Sequence, residues 1–265
     1  MTKRENGCYV LWMVPTMENS QIPGKSASTW TGPAREQAVQ RMFTAIAKFY
    51  DLNNSLLSFG LHHSWKRKAV SHIPKQSETR ALDLGAGTCD LAILLDRHLQ
   101  FSSKIIAADL NVAMLRVGQK KVRAQKLESR IACLQMNAES LTFPDYSFET
   151  VTAGFCIRNV GNLPQALTEI CRVLKPGGRF VCLEFSRPVS TGFRKLYDWY
   201  SFHLLPWIGT VVARDGTGVY EYLPASIRNF PDQQHLCSLL KDAGFQTVEY
   251  HNLTGGIVAI HVAVK

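Results

Sequence analysis

The stretch Ala81-Leu82-Asp83-Leu84-Gly85-Ala86-Gly87-Thr88-Cys89-Asp90 holds the residues best suited to bind a ligand. An apolar strand ends in an acid, runs into GxG and opens a helix. Glycines let a backbone approach a ligand closely, and a helix N-terminus offers free N–H donors. Asp90 stands where a dinucleotide fingerprint places its third glycine, and an acid there would repel a pyrophosphate. A second acid, Asp109, ends the next apolar run, Ile105-Ile106-Ala107-Ala108. It is placed to grip both hydroxyls of an adenosine ribose, although Asp is also a common helix N-cap. Met136-Asn137-Ala138-Glu139 follows the next run, and an amide beside a small residue suits an adenine edge; a plain turn is the other reading. A ligand with an adenosine and a cationic head fits such an acid-lined loop. S-adenosyl-L-methionine is one, with Asp83 or Asp90 near its ammonium end.

These residues need elements to position them. From Arg80 onward strands and helices alternate, which predicts a parallel sheet with helices on both faces. Strands are expected at 80–84, 104–108, 130–134, 148–154 and 178–185, with helices near 89–100, 111–127 and 163–174. Lys175-Pro176-Gly177-Gly178 reads as a helix stop. A helix at 232–243 and strands at 245–251 and 256–264 close the domain, the last two as an antiparallel hairpin around Gly255-Gly256. Before this core, Val39, Met42, Phe43, Ile46, Ala47 and Tyr50 recur at helical spacing. A polar turn is expected at Asn53-Asn54-Ser55, followed by a second helix into Trp65-Lys66-Arg67-Lys68. The expected layout is a poorly ordered extension at 1–36 and one α/β domain at 37–265. Within it, 37–75 forms a helical cap and 187–230 an inserted, substrate-side lid.

Composition narrows the partners. Thirty Lys and Arg against twenty-one Asp and Glu leave a formal charge of +9 over 265 residues. Residues 41–80 hold seven basic and two acidic side chains, more than half of that excess. A basic surface suits nucleic acid, an anionic membrane or an acidic substrate. No run reaches the roughly 20 apolar residues that span a bilayer. The opening MTKRENGCYVLWMVP resembles neither a signal nor a transit peptide. The seven cysteines are an odd number with no CxxC pair, so zinc and disulfide frameworks are not expected and no metal is assigned.

The assembled blocks resemble S-adenosylmethionine-dependent methyltransferases of the seven-stranded, Rossmann-like type. Within that class VQRMFTAIAKFYDLNNSLLSFGLHHSWKR, LDLGAGTCDLA, GFCIRNV, LKPGGRFVCLEFS, YDWYSFHLLPWIG and YEYLPASIRNFP resemble the menaquinone and ubiquinone biosynthesis C-methyltransferases. The likeness spans residues 37–265. The glycine loop and KPGG are shared by many methyltransferases, whereas the IRN, YSF…LP and YEYL…SI…FP blocks are specific. The resemblance implies cofactor contacts at Thr88, Asp109, Asn137 and Ala138, with Gly85 and Gly87 in the loop and Gly154 nearby. Cys89 and Cys156 replace usual glycines, His63 a usual arginine, and Asn53 a usual hydrophobic residue.

The implied chemistry moves a methyl from a sulfonium to a carbon of a reduced, polyprenylated quinol. Arg158 and Asn159 follow the fourth strand, at the strand end where open α/β sheets bind ligands. Arg158 is expected to stabilise a quinolate oxygen or support a water relay, and Asn159 to orient the ring. Pairing with Glu184 is the structural alternative for Arg158. His62 and His203 are the residues that titrate near neutrality. Tyr200, Tyr220 and Tyr222 are expected around the ring or tail. The ring is expected to be a naphthoquinol, with a benzoquinol or another lipid-like acceptor as the alternative. Such a tail predicts a cytoplasmic protein peripheral to the inner face of the membrane, with room for a homodimer or biosynthetic complex. A nicotinamide dehydrogenase is disfavoured by Asp90. A nucleic-acid methyltransferase is disfavoured by the lack of an NPPY-like motif and of a stacking platform.

Overall fold

The computed structural model describes residues 33–75, 78–99, 103–201 and 219–265. Seven strands form one sheet in the order β3-β2-β1-β4-β5-β7-β6. They are β1 (Arg80–Leu84), β2 (Lys104–Asp109), β3 (Ile131–Gln135), β4 (Phe148–Gly154), β5 (Leu174–Phe185), β6 (Thr247–Leu253) and β7 (Val258–Val264). The first five are parallel and β7 runs antiparallel between β5 and β6. Alternate residues of β1 feed the two faces: Ala81 joins one core cluster, Leu82 and Leu84 the other. Burial on both faces is why this strand reads as an apolar run. The chain turns from β1 outward to β2 and later back to β4, so the strand order reverses beside β1. That point, at the strands' carboxyl ends, is where such sheets form a crevice.

Helices α4 (Asp90–His98), α5 (Val112–Ala124), α6 (Leu163–Val173) and α9 (Gln233–Asp242) cover the sheet. The start of α5 decides between the two residues that could cap it. Asn111, not Asp109, is the N-cap, accepting from the Met114 amide at 3.0 Å. Asp109 is thus free of that duty.

Three helices precede the sheet: α1 (Pro33–Ile46), α2 (Tyr50–Leu57) and α3 (Leu61–Val70). The first begins at Pro33, before the expected boundary at 37. The turn expected at Asn53–Ser55 is instead inside α2. Local polarity suggested a break, but Ser55 back-bonds to the Asp51 carbonyl at 2.8 Å and the helix continues. The segment after β5 contributes α7 (Thr191–Trp199) and α8 (Val219–Asn229).

The KPGG segment follows the helix end as expected and has a second role in the sheet. The helix does end at Val173, yet β5 begins at once. Leu174 pairs with Phe148 and Arg179 with Thr150, so Lys175–Gly178 bulges opposite one residue of β4. Gly177 sits at φ +75°, and a Cβ on Gly178 would lie 2.7 Å from the Lys175 carbonyl.

Candidate active site

Two neighbouring cavities lie over the carboxyl ends of β1 and β4. The first is floored by the glycine loop. Gly85 and Gly87 adopt φ +65° and +53°, and a Cβ on Gly85 would meet Cys156 Cβ at 2.3 Å. Only glycine fits that crossing. The Gly87 amide donates to Asp109 Oδ2 at 2.8 Å and the Asn111 amide to Oδ1 at 2.7 Å. Two amides therefore fix the carboxylate, while each oxygen keeps capacity for a further bond. Burial raises the Asp109 pKa, and those two amides oppose the rise. Gly85, Gly87, Asp109, Asn137, Ala138 and Gly154 all line this cavity. Asn137 Oδ1 accepts from the Glu139 amide at 2.9 Å, which shapes the turn.

Asp83, Thr88 and Asp90 lie outside that lining. Asp83 is fully buried under the loop, and Thr152 donates to its Oδ1 at 2.9 Å. Its Oδ2 has no hydrogen bond of ordinary geometry. Burial pushes its pKa up to about 7, against the Thr152 bond and the Lys66 charge. Thr88 donates to Asp51 Oδ1 at 2.6 Å and accepts from Lys121 at 3.0 Å. Asp90 binds Lys66 at 2.9 Å and Lys121 at 2.7 Å, and Lys121 also binds Asp51. Burial alone would raise Asp90; the two ammoniums outweigh it and hold the pKa down to about 2. Thr88 and Asp90 are thus spent on joining the loop to α2, α3 and α5. The partners come from distant segments, so the loop motif could not reveal them.

The second cavity has a volume of about 470 Å³ and a largely apolar lining. The N-terminal helices supply Phe43, Leu57, His62 and Trp65, and the segment after β5 supplies Tyr197, Tyr200, Tyr222 and Ile227. Three side chains, Phe43, Tyr50 and Phe155, line both cavities and form the wall between them. Tyr50 was visible in the sequence only as an apolar helix position. Burial raises the pKa of its phenol, so it stays protonated.

Arg158 lines the second cavity and makes the Glu184 ion pair given above as the structural alternative. Its guanidinium lies 2.6 Å from Glu184 Oε1, donates to the Phe155 carbonyl at 2.7 Å and stacks over Phe185. Burial would lower its pKa, but Glu184 outweighs that and raises it. Asn159 lines the first cavity, and Tyr222 of the second donates to its Oδ1 at 2.8 Å. That bond is a further link between the two spaces. Burial also raises the Tyr200 phenol. His203 and the Tyr220 side chain lie outside the described residues.

His62 is buried on the wall of the second cavity. Its Nδ1 lies 2.8 Å from Ser58 Oγ, and that hydroxyl donates to the Asn54 carbonyl at 2.6 Å. Serine has one hydroxyl hydrogen. With it on the Asn54 carbonyl, the shorter of the two contacts, Ser58 is the acceptor, the imidazole proton is assigned to Nδ1 and Nε2 carries the lone pair. That Nε2 is buried without a hydrogen bond. Burial, then the charge of Lys66, lowers the His62 pKa to about 4, so the ring is neutral at pH 7.

Residues 32–265 match the model of the ubiE/COQ5 methyltransferase family. The chain belongs to that family. It is 44% identical over 235 residues to the ubiquinone/menaquinone biosynthesis C-methyltransferase UbiE of Cronobacter sakazakii, covering 88% of this chain and 93% of the relative. The protein of the same name from Legionella pneumophila is 46% identical over 234 residues, covering 87% and 92%. Among solved structures, the [4+2]-cyclase SpnF superposes with TM-score 0.66 at 17% identity, over 89% of this chain and 97% of that one. A SAM-dependent methyltransferase from Aquifex aeolicus gives 0.53 at 15%, over 75% and 88%. Those likenesses establish the fold alone. The cyclase shows that the fold hosts other chemistry, so the activity rests on the family.

This methyltransferase takes S-adenosyl-L-methionine as cofactor. Its first cavity fits such a group: bare backbone at Gly85 and Gly87, and a held carboxylate at Asp109. The cysteines that depart from the family pattern are accommodated locally. Cys89 takes φ +63°, a conformation that favours glycine, and a Cβ on Gly118 would meet its sulfur at 2.3 Å. Cys156 packs on Gly85 and donates to the Leu84 carbonyl at 3.1 Å. Among the described residues no group of three or more His, Cys, Asp or Glu side chains is placed to hold a metal ion.

Proposed function

We propose that this methyltransferase C-methylates the ring of a polyprenylated quinol, with demethylmenaquinol as acceptor and menaquinol as product. A demethylated polyprenyl-benzoquinol is the second acceptor, because the name of the curated relatives covers both ring types. The observation that carries the proposal is the shared wall of Phe43, Tyr50 and Phe155. It sets a large, aromatic, apolar cavity directly beside the cofactor cavity. Flat walls of this kind suit a fused bicyclic ring, and the volume leaves room for the start of a tail.

Asp109 would hold the ribose, Asn137 and Ala138 the adenine edge, and Gly85, Gly87 and Gly154 would let the ligand lie against backbone. Asp83, beneath the loop, would favour a cationic end. The bound cofactor supplies an activated methyl on a positively charged sulfur. The chain's own residues prepare the acceptor. His62 Nε2, a buried lone pair held neutral, accepts a hydrogen bond from a quinol hydroxyl and orients it for loss of its proton toward solvent. Arg158 stays charged on the same cavity wall and stabilises the quinolate oxygen. Asn159, on the cofactor side, holds the Tyr222 hydroxyl in place, and Tyr200 and Tyr222 flank the ring. Holding both partners in one geometry supplies much of the rate. One proton is released overall. The acceptor's tail places the protein at the cytoplasmic face of a membrane, as a peripheral protein. Among the described residues, no helix is long and apolar enough to cross one.

The test is methyl transfer from labelled cofactor to both reduced acceptors, by wild type and Asp109→Ala. Transfer to the naphthoquinol, lost in Asp109→Ala, is expected. Cofactor binding without transfer to either quinol would overturn the proposal.

A further inference from the structure

Helix α2 has two distinct faces. Tyr50, Asn53, Asn54 and Leu57 recur at i, i+3, i+4 and i+7 and line the acceptor cavity. Phe49, Leu52 and Leu56, at i, i+3 and i+7, point the other way and are 63%, 57% and 60% exposed. Phe59, in the turn to α3, is 82% exposed. No residue of α2 is buried. A water-facing helix normally places polar residues on its outer face. Here large apolar side chains stand along one side instead.

The turn that presents Phe59 is firmly built. Phe59 and Gly60 take φ +49° and +76° in succession, a conformation rare for a bulky residue. Ser58 pins them from both sides through the Asn54 carbonyl and the His62 ring. The fold accepts strain to hold this ring outward.

Charge points to the occupant. Residues 41–75 contain six Lys or Arg and one acid, Asp51, which is bound to Lys121. Lys48 beside Phe49, and Arg67 and Lys68 on α3, are exposed. An apolar strip flanked by cations suits an anionic bilayer. Four side chains fall far short of the roughly 20–30 residues a side in a stable protein interface. The strip is also continuous with the cavity, because Phe59, Leu61 and Trp199 line the cavity and remain exposed.

We propose that the outer face of α2 and the Phe59 turn dock on an anionic lipid surface, and that the acceptor cavity opens into it between Phe59, Leu61 and Trp199. A tailed substrate then presents its ring while the tail stays in lipid. This opening rests on the quinol assignment; the docking face does not.

The test uses the full chain and flotation with phosphatidylglycerol–phosphatidylcholine vesicles. The variant is Phe49→Ser/Leu52→Ser/Leu56→Ser, whose three positions line neither cavity. Wild type should float with these vesicles, less so with phosphatidylcholine alone or at high salt. The variant should lose at least about tenfold in vesicle affinity, the order expected from withdrawing three apolar side chains. It should methylate a short-tailed, water-soluble quinol as wild type does, and a long-tailed quinol in vesicles with a raised KM. Equal flotation of variant and wild type, or none by wild type, would overturn the docking face. A wild-type dimer that the variant dissociates, with vesicle binding unchanged, would also overturn it and assign the strip to a second copy. Failure of both proteins on the short-tailed quinol would sink the acceptor assignment and leave the flotation result standing.

Discussion

Thr88 of the glycine loop donates a 2.6 Å hydrogen bond to Asp51 of α2, the neighbour in sequence of Tyr50. The loop under the cofactor cavity is therefore fastened to the helix that supplies the wall between the cavities. Lys121 reinforces the joint by holding Asp51 and Asp90 together. Loop and wall are set by one contact.

Asp51→Ala is expected to weaken cofactor binding by about three- to tenfold. That is the worth of a charged hydrogen bond, discounted because Asp51 is partly exposed. Thr88→Val should do the same, and the double variant little more, since both break one joint. Calorimetric titration of the cofactor would check this; additive losses would count against a single joint.

Arg158→Ala should lower stability by about 3–5 kcal/mol, because Glu184 is left buried without its cation. Arg158→Lys keeps a charge but not the fork. It should fold, retain cofactor affinity and lose about 10²-fold in kcat. Chemical denaturation and steady-state kinetics separate the two effects.

His62→Ala should cost about 10²-fold or more in kcat/KM with cofactor affinity unchanged. Because the wild-type ring titrates near pH 4, kcat at saturating cofactor should show no His62 limb through neutral pH and should fall only toward that value. A wild-type acid limb near the ordinary histidine pKa would refute a His62 ring held neutral as a hydrogen-bond acceptor.

Asp83 makes stability pH-dependent with an unusual sign. Its folded pKa of about 7 lies above the unfolded value near 3.8. Over that window the folded state holds a proton that the unfolded state has released, so stability falls as pH rises. The full effect is on the order of 4 kcal/mol. His62 works the other way. Its folded pKa of about 4 lies below the unfolded 6.5, so its contribution is present above 6.5 and lost on acidification. The difference between wild type and Asp83→Asn isolates the aspartate. Asp83→Asn should gain relative stability as pH rises from about 4 to 7, measured by denaturant melts; parallel curves would refute it.

Much of the sheet was legible because its strands are continuous apolar runs. β1 and β4 have the expected bounds, and β2 and β3 lie within a residue of theirs. The loop was legible because glycine and acid at a strand end have few other uses. Long-range pairings were not. Thr88 and Asp90 read as ligand contacts, and nothing local shows the Asp51, Lys66 and Lys121 partners that also hold them. Asn53-Asn54-Ser55 looked like a turn, since its helix is held by tertiary contact. Tyr50 read only as one position of an apolar helix face, because aromatic spacing cannot tell a packed ring from one that lines two cavities. The His62 tautomer needed a hydrogen-bond count that only coordinates provide.

The wall of Phe43, Tyr50 and Phe155 has a pharmacological consequence. Two chambers with common side chains form one elongated receptor. A single molecule carrying an adenosine at one end and a prenylated aromatic ring at the other could fill both. Joining the halves would save the entropy of binding them apart, so such a hybrid should bind more tightly than either half alone.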